Sequence, residues 1–181
     1  MLKEFLCLVI FYVKEKVNNF MTYIRKKEEA VEILLKQKPL VIYQNNSEWG
    51  PRALGNRSIL FDPRNPKAKE IVNKFKKREW WRPLAGTVLL EHAHDYFNLG
   101  SLKESPYMSF AVKFKKEVAD KVPAVVHFDD TGRLQTVTEN DNGWYYNFIK
   151  KWKSKTEVPI LLNTSFNDRE PIVETPEHAV N

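Results

Sequence analysis

Three observations predict an α/β (α+β) domain, a twisted mixed sheet flanked by helices. From residue 26 onward, stretches with apolar residues at helical spacing alternate with short runs rich in Val, Ile, Leu and Phe, the pattern of strands laid between covering helices. Apolar residues make up 43% of the chain and charged residues 29%, a balance that supports a buried core and argues against wholesale disorder. With 181 residues and the single cysteine Cys7, the chain can form no intrachain disulfide and no cysteine-based zinc site, so burial must hold the fold. That cysteine count suits a reducing, cytoplasmic setting. Lys plus Arg is 29 against 23 Asp plus Glu, a formal charge of +6 and a pI near 9.3, which points to anionic partners: phosphate esters, nucleotides or nucleic acid.

Taken in order, residues 1–25 read as a helical N-terminal extension. Leu2, Phe5, Leu6, Val9, Tyr12, Val13, Val17 and Phe20 recur at helical spacing. The apolar run at 5–13 falls well short of the roughly 20 residues that cross a bilayer, so no transmembrane segment is expected. An apolar face of this kind suits docking on a partner domain. The domain proper spans 26–181. Ala30, Val31, Leu34 and Leu35 share one face of a helix over 26–37, which Pro39 ends before a strand over 40–43. Asn65 followed by Pro66, a cap and a first-turn proline, opens a helix to about Lys77. Strands are expected at 86–90, 109–114, 124–128 and 134–138. Asp141 or Asn142 then caps a helix carrying Trp144, Phe148, Ile149 and Trp152, and a buried strand follows at 158–162. Thr175 and Pro176 start a further helix. One turn cannot repay its nucleation cost alone, so the end at Asn181 reads as premature.

Four segments carry the chemistry. In 48–58 (EWGPRALGNRS), Arg52 and Arg57 are bracketed by Gly50 and Gly55, a pattern suited to a loop that converges on an anion or, equally, to a solvated turn. Segment 74–83 (KFKKREWWRP) interleaves five cations with three aromatics. That suits a nucleotide or single strand, its bases stacked on Trp80 or Trp81, or else a basic helix end with the tryptophans in the core. Around 127–135, His127, two carboxylates, Thr131, Arg133 and Gln135 surround a strand–turn–strand. Asn163, Thr164, Ser165 and Asn167 follow the strand that ends at Leu162, where α/β proteins place ligand contacts, though such residues also satisfy loop backbone.

In this order, WGPRALGNRSIL, KKREWWRP, SPYMSF, PAVVHFDDTGRLQTV and PILLNTSFN resemble the C-terminal domain of the carbamoyltransferases that decorate nodulation factors and antibiotics, the NodU/CmcH type. The resemblance runs from Lys26 to about Val180. It implies a YrdC-like fold with a concave basic cavity, in which Lys76-Lys77-Arg78 and Ser165-Phe166-Asn167 match the Lys-x-Arg and Ser-x-Asn pairs of a nucleotide site. The implied activity is adenylation: carbamoyl phosphate, ATP and Mg²⁺ give a carbamoyl-adenylate, and a separate metal-bearing domain transfers the carbamoyl group to a small-molecule or sugar acceptor.

On that resemblance Lys76, Arg78, Arg52 and Arg57 would be catalytic and line one cavity. Arg82, Ser105, His127, Arg133, Asn163, Thr164, Ser165 and Asn167 would bind substrate or nucleotide. No metal site belongs to this chain: His92 and His94, two apart, would face away from each other on a helix. A non-catalytic module holding nucleotide or RNA is the alternative from a different class. Three stretches depart from the family's usual pattern: Asn45 in place of glycine, Leu84 and Gly86 in place of phenylalanine and proline, and a spacer shortened to Asp168-Arg169 before Glu170. The shortened spacer implies a different path for that loop.

Overall fold

The computed structural model describes residues 8–12 and 27–180. Its strands are β1 (Leu8–Tyr12), β2 (Leu40–Gln44), β3 (Arg57–Phe61), β4 (Ala85–Leu89), β5 (Phe110–Lys113), β6 (Thr131–Val137) and β7 (Ile160–Ser165). The helices are α1 (Lys27–Leu35), α2 (Ala68–Phe75), α3 (Ala93–Tyr96), α4 (Lys116–Ala119), α5 (Glu139–Thr156) and α6 (Pro176–Val180). The strands form one sheet in the order β1-β2-β3-β7-β4-β6-β5. β1 lies parallel to β2 and β4 parallel to β6, and every other neighbouring pair is antiparallel. The predicted mixed sheet with flanking helices is therefore what forms.

Period-two alternation decides what covers each face. Leu40, Ile42, Leu60, Leu161, Leu89 and Val137 turn to one side, where Ala30, Val31 and Leu34 of α1 and Tyr145, Phe148, Ile149 and Trp152 of α5 close on them. Phe61, Ile160, Leu162, Val88 and Leu134 turn to the other, meeting Ala68 and Val72 of α2, Ala93 and Tyr96 of α3, and Val118 of α4. Toward β2, Val41, Tyr43 and Ile59 form a smaller cluster with Val173, against which Phe75, Phe166 and Ala179 pack. Each fully buried Val, Leu, Ile or Phe among them contributes roughly 1.5–3 kcal/mol. Trp152 also finds a partner for its ring nitrogen, which donates to the Ile160 carbonyl at 3.0 Å.

Four expectations change. Residues 8–12, expected inside a helix, form β1: a continuous run of Val, Ile, Phe and Tyr satisfies its backbone by pairing with β2 in register, Leu8 opposite Leu40. The remainder of the predicted 1–25 helix lies outside the described residues. The strand expected at 124–128 is absent; Pro123–Val125 is a 3₁₀ turn whose Ala124 N–H donates to Pro63 O at 3.1 Å, so its backbone is satisfied without a ladder. The cap of α5 is Thr138, one step past the end of β6. Its hydroxyl accepts from Asp141 N–H while the Asp141 carboxylate accepts from Thr138 N–H at 2.8 Å, a reciprocal capping box. Finally, the last buried strand runs on to Ser165, so Asn163 and Thr164 lie within the sheet rather than beyond it.

Candidate functional site

α2 lays Ala68 and Val72 on the sheet, and its last turn ends beside the exit of β7. Lys76 follows the helix directly and is almost fully buried, at 3% exposure. Its ammonium donates to the Ser165 carbonyl, to Ser165 Oγ at 3.3 Å and to Asn167 Oδ1 at 2.8 Å. Ser165 Oγ in turn donates to Asn167 Oδ1 at 2.7 Å, and Asn167 Nδ2 donates to Glu170 O at 2.6 Å. Burial, reinforced by the Arg78 charge and opposed by Asp168, pushes the Lys76 ammonium down to about 7. A group poised there gains a proton when an anion arrives.

The chain after Lys76 is organised by a residue that the sequence reading passed over. Asn73, on the buried side of α2 at 0% exposure, accepts from Arg78 Nε at 2.6 Å. Its amide donates to Trp80 O at 2.9 Å and Arg82 O at 3.0 Å. One buried carboxamide thus fixes both the arginine and the turn beyond it. Its signal was a polar residue next to Val72 inside the apolar stripe of a helix. Arg78 retains a buried Nη2 with no hydrogen-bond partner. Burial first, then the Arg82 charge, lowers the Arg78 pKa.

These groups open onto a cleft of about 640 Å³ lined by Lys76, Lys77, Arg78, Arg82 and Arg169, with Ser165 and Asn167 between them. The carboxylates on its wall are already engaged, Glu79 with Arg82 at 2.6 Å and Asp168 with Lys77 at 2.7 Å. The shortened Asp168-Arg169 spacer has not drawn Ser165 and Asn167 away; both of its residues line the same cleft. The arrangement can neutralise a multiply charged anion.

The expected four-cation cavity divides. Lys76 and Arg78 share the cleft, but Arg57 does not line it. The Arg57 guanidinium lies 3.6 Å above the Tyr43 ring and donates to the carbonyls of Gln44 at 2.5 Å, Asn45 at 2.9 Å and Asn56 at 3.2 Å. Glu48 Oε1 gathers the same loop by accepting from Leu54 and Asn56 N–H, each at 2.7 Å. Gly55, at φ +117°, has no room for a side chain against the Tyr145 ring. Arg52 is exposed, and the Arg133 pKa is lowered by burial and then by the Arg52 charge, so these two cations lie within electrostatic reach of each other; neither is among the residues lining the cleft. Arg133 is level with Ala85 on β4, which is itself opposite Asn163 on β7.

The remaining candidates are placed as follows. Asn163 is buried and donates to Ala53 O at 3.1 Å and Gln135 Oε1 at 2.9 Å, within a network that includes Thr87. Thr164 sits opposite Ile59, partly exposed. Ser105 is a buried latch: its hydroxyl donates to Leu134 O at 2.9 Å and its N–H to Thr136 Oγ1 at 2.8 Å. His127 is half-buried against Thr131 Oγ1 and Leu84 O, and burial leads the lowering of its pKa. His92 bonds Asp95 at 2.9 Å, and no group of three or more potential metal ligands forms among the described residues. No helix among the described residues is long and apolar enough to cross a membrane.

The carbamoyltransferase C-terminus family matches residues 31–181. A protein of Methanocaldococcus jannaschii whose own function is uncharacterised is 44% identical over 162 residues, covering 87% of this chain and 26% of its own. The nodulation protein NolNO of Sinorhizobium fredii is 49% identical over 140 residues, 76% of this chain and 21% of its own. The chain therefore spans about a quarter of the length of these relatives. Among solved structures, full-length HypF in its phosphate- and nucleotide-bound form superposes with a TM-score of 0.56 at 17% identity, over 88% of this chain and 19% of that one. The shared fold is the YrdC-like one.

Proposed function

This chain belongs to the carbamoyltransferase C-terminus family, and from that premise we propose that it is the adenylate-forming module of an O-carbamoylation enzyme. Carbamoyl phosphate loses its phosphate to water, and a carbamate oxygen then attacks the α-phosphorus of ATP, displacing pyrophosphate and leaving carbamoyl-adenylate. Catalysis of such a step is largely positioning plus neutralisation of developing phosphoryl charge.

The observation that carries this reading is the cleft itself, with a buried ammonium, Lys76, and an unpartnered guanidinium nitrogen on Arg78. Arg78 and Arg82 would hold the polyphosphate, with Lys76 supplying charge while it orients Ser165 and Asn167. Mg²⁺ would arrive with the nucleotide as part of the substrate. Arg52 and Arg133, with His127 and Asn163 near them, would take the carbamoyl phosphate. Arg57 and Ser105 would hold the surrounding backbone. The greater length of the relatives leaves space for a transfer domain, which this reading assigns to a separate part or subunit.

Carbamoyl-phosphate-dependent exchange of labelled pyrophosphate into ATP tests the proposal directly. The chain should catalyse exchange with carbamoyl phosphate present and none without it. Absence of exchange, with ATP binding intact by calorimetry, overturns the adenylation assignment. A carbamoylated acceptor formed by this chain without added protein overturns the division of labour.

A further inference from the structure

Trp80 and Trp81 are exposed at 73% and 59%, although the bland expectation for an indole is burial. They occupy the two central positions of a four-residue turn, closed by Arg82 N–H donating to Glu79 O at 3.2 Å. The Arg82–Glu79 ion pair at 2.6 Å closes the same turn a second time. From beneath, the Asn73 amide holds both Trp80 O and Arg82 O. The turn is thus fixed at three points while its two large side chains are left facing solvent. Its end residues, Glu79 and Arg82, both line the basic cleft, so the turn that carries the two indoles borders it.

A rigid turn that presents aromatic side chains beside a cationic cleft, in which Arg78 Nη2 has no hydrogen-bond partner, has the composition of a stacking platform. We infer that Trp80 and Trp81 form the base-recognition element of the site, taking the heterocycle of a nucleoside triphosphate whose phosphates lie on Arg78, Arg82 and Lys76. The inference rests on the proposed polyphosphate site and adds what that site lacks, a means of preferring a nucleotide over inorganic polyphosphate. Stacking is tolerant of base identity because every base offers a π-face, so discrimination between ATP and GTP should be weak.

Calorimetry on the whole chain compares ATP, GTP and inorganic triphosphate, with tryptophan fluorescence as a second reading. The intact chain should bind ATP about 10-fold or more tighter than triphosphate, with GTP within a few-fold of ATP. Trp80→Ala/Trp81→Ala should lose that margin, bind triphosphate as before and lose the ATP-induced quenching. Because both indoles are exposed, the double variant should keep its melting temperature. If it binds ATP as tightly as the parent, or if triphosphate and ATP bind equally to the parent, the platform is wrong while the polyphosphate site stands. If triphosphate does not bind the parent at all, the site reading fails first and the platform with it. Tight binding of single-stranded oligoadenylate with no binding of ATP overturns the inference in favour of a nucleic-acid surface.

Discussion

Two arginine-bearing segments, 48–58 and 74–83, look alike as text and behave differently in space. Both combine glycine or tryptophan with closely spaced cations. In the first, Arg57 is 3% exposed and both its Nη atoms are committed to main-chain carbonyls against the Tyr43 face, leaving only the inner Nε without a partner. In the second, Arg78 is held by its Nε alone, through Asn73, and keeps Nη2 for something else. What separates a structural arginine from a ligand-binding one is therefore where its hydrogens already point. Charge density along the sequence cannot report that.

The comparison is broken or sharpened most strongly at Arg57. Arg57→Ala leaves several buried carbonyls without a donor and should cost about 3 kcal/mol, lowering the melting temperature by roughly 6–12 °C. Calorimetric melting checks this. A variant that melts normally but no longer binds ATP would return Arg57 to the binding site. Next comes Arg78→Ala, expected to weaken ATP binding by roughly 30-fold, about 2 kcal/mol, and to lower the melting temperature by roughly 2–4 °C, about 1 kcal/mol, because the buried Asn73 Oδ1 loses its donor. Arg78→Lys should recover little of that loss, because an ammonium cannot reproduce the fork that reaches Asn73 and a phosphate together.

A third effect concerns Lys76. With its free-state pKa lowered to about 7, chiefly by burial, the group is mostly neutral above that pH, and a bound phosphate favours the charged form. Binding should therefore take up a proton, and ATP affinity should fall as pH rises above 7, by at most about tenfold per unit. Titrations from pH 7.5 to 9 in buffers of different ionisation heat measure both, and Lys76→Met should flatten the profile. The smallest effect is expected at Lys77, whose pair with Asp168 has both side chains substantially exposed, at 62% and 38%. Lys77→Ala should change stability by less than about 0.5 kcal/mol, measurable by urea denaturation.

Legibility in the sequence tracked how local the cause was. The strands β2, β4 and β7 were readable because apolar runs bounded by Pro, Gly or polar residues need no distant information. β3 was not, because it begins at Arg57, whose burial depends on carbonyls from β2 and on the Tyr43 ring. β1 misled for a related reason: a short apolar run is compatible with helix or strand until a neighbouring edge decides. At the candidate site, Lys76, Arg78, Arg82, Ser165 and Asn167 were named with the help of the resemblance, and they line one cleft. Arg57 does not join them because its Nη donors are taken by the Gln44, Asn45 and Asn56 carbonyls, contacts that the spacing of cations does not reveal. Asn73 went unmarked because a lone asparagine in a helix announces no partner until the turn beyond it is folded.

The sheet order has a consequence for how the protein comes into being. β7, the last of the described strands to be made, lies in the middle of the sheet between β3 and β4. Until residues 160–165 emerge, β3 has only β2 beside it and β4 has only β6, so two half-sheets carry raw inner edges. At ordinary translation speed, the interval from the end of β3 to the arrival of β7 is roughly 5–20 s. Over that time the nascent chain holds the open, apolar edge of β3, joined by that of β4 once β6 has been made, each a template for mispairing with another chain. Closure by a central strand that arrives late also means long-range pairing and slow folding. A ribosome stalled before Ile160 would hold this protein at its most aggregation-prone moment.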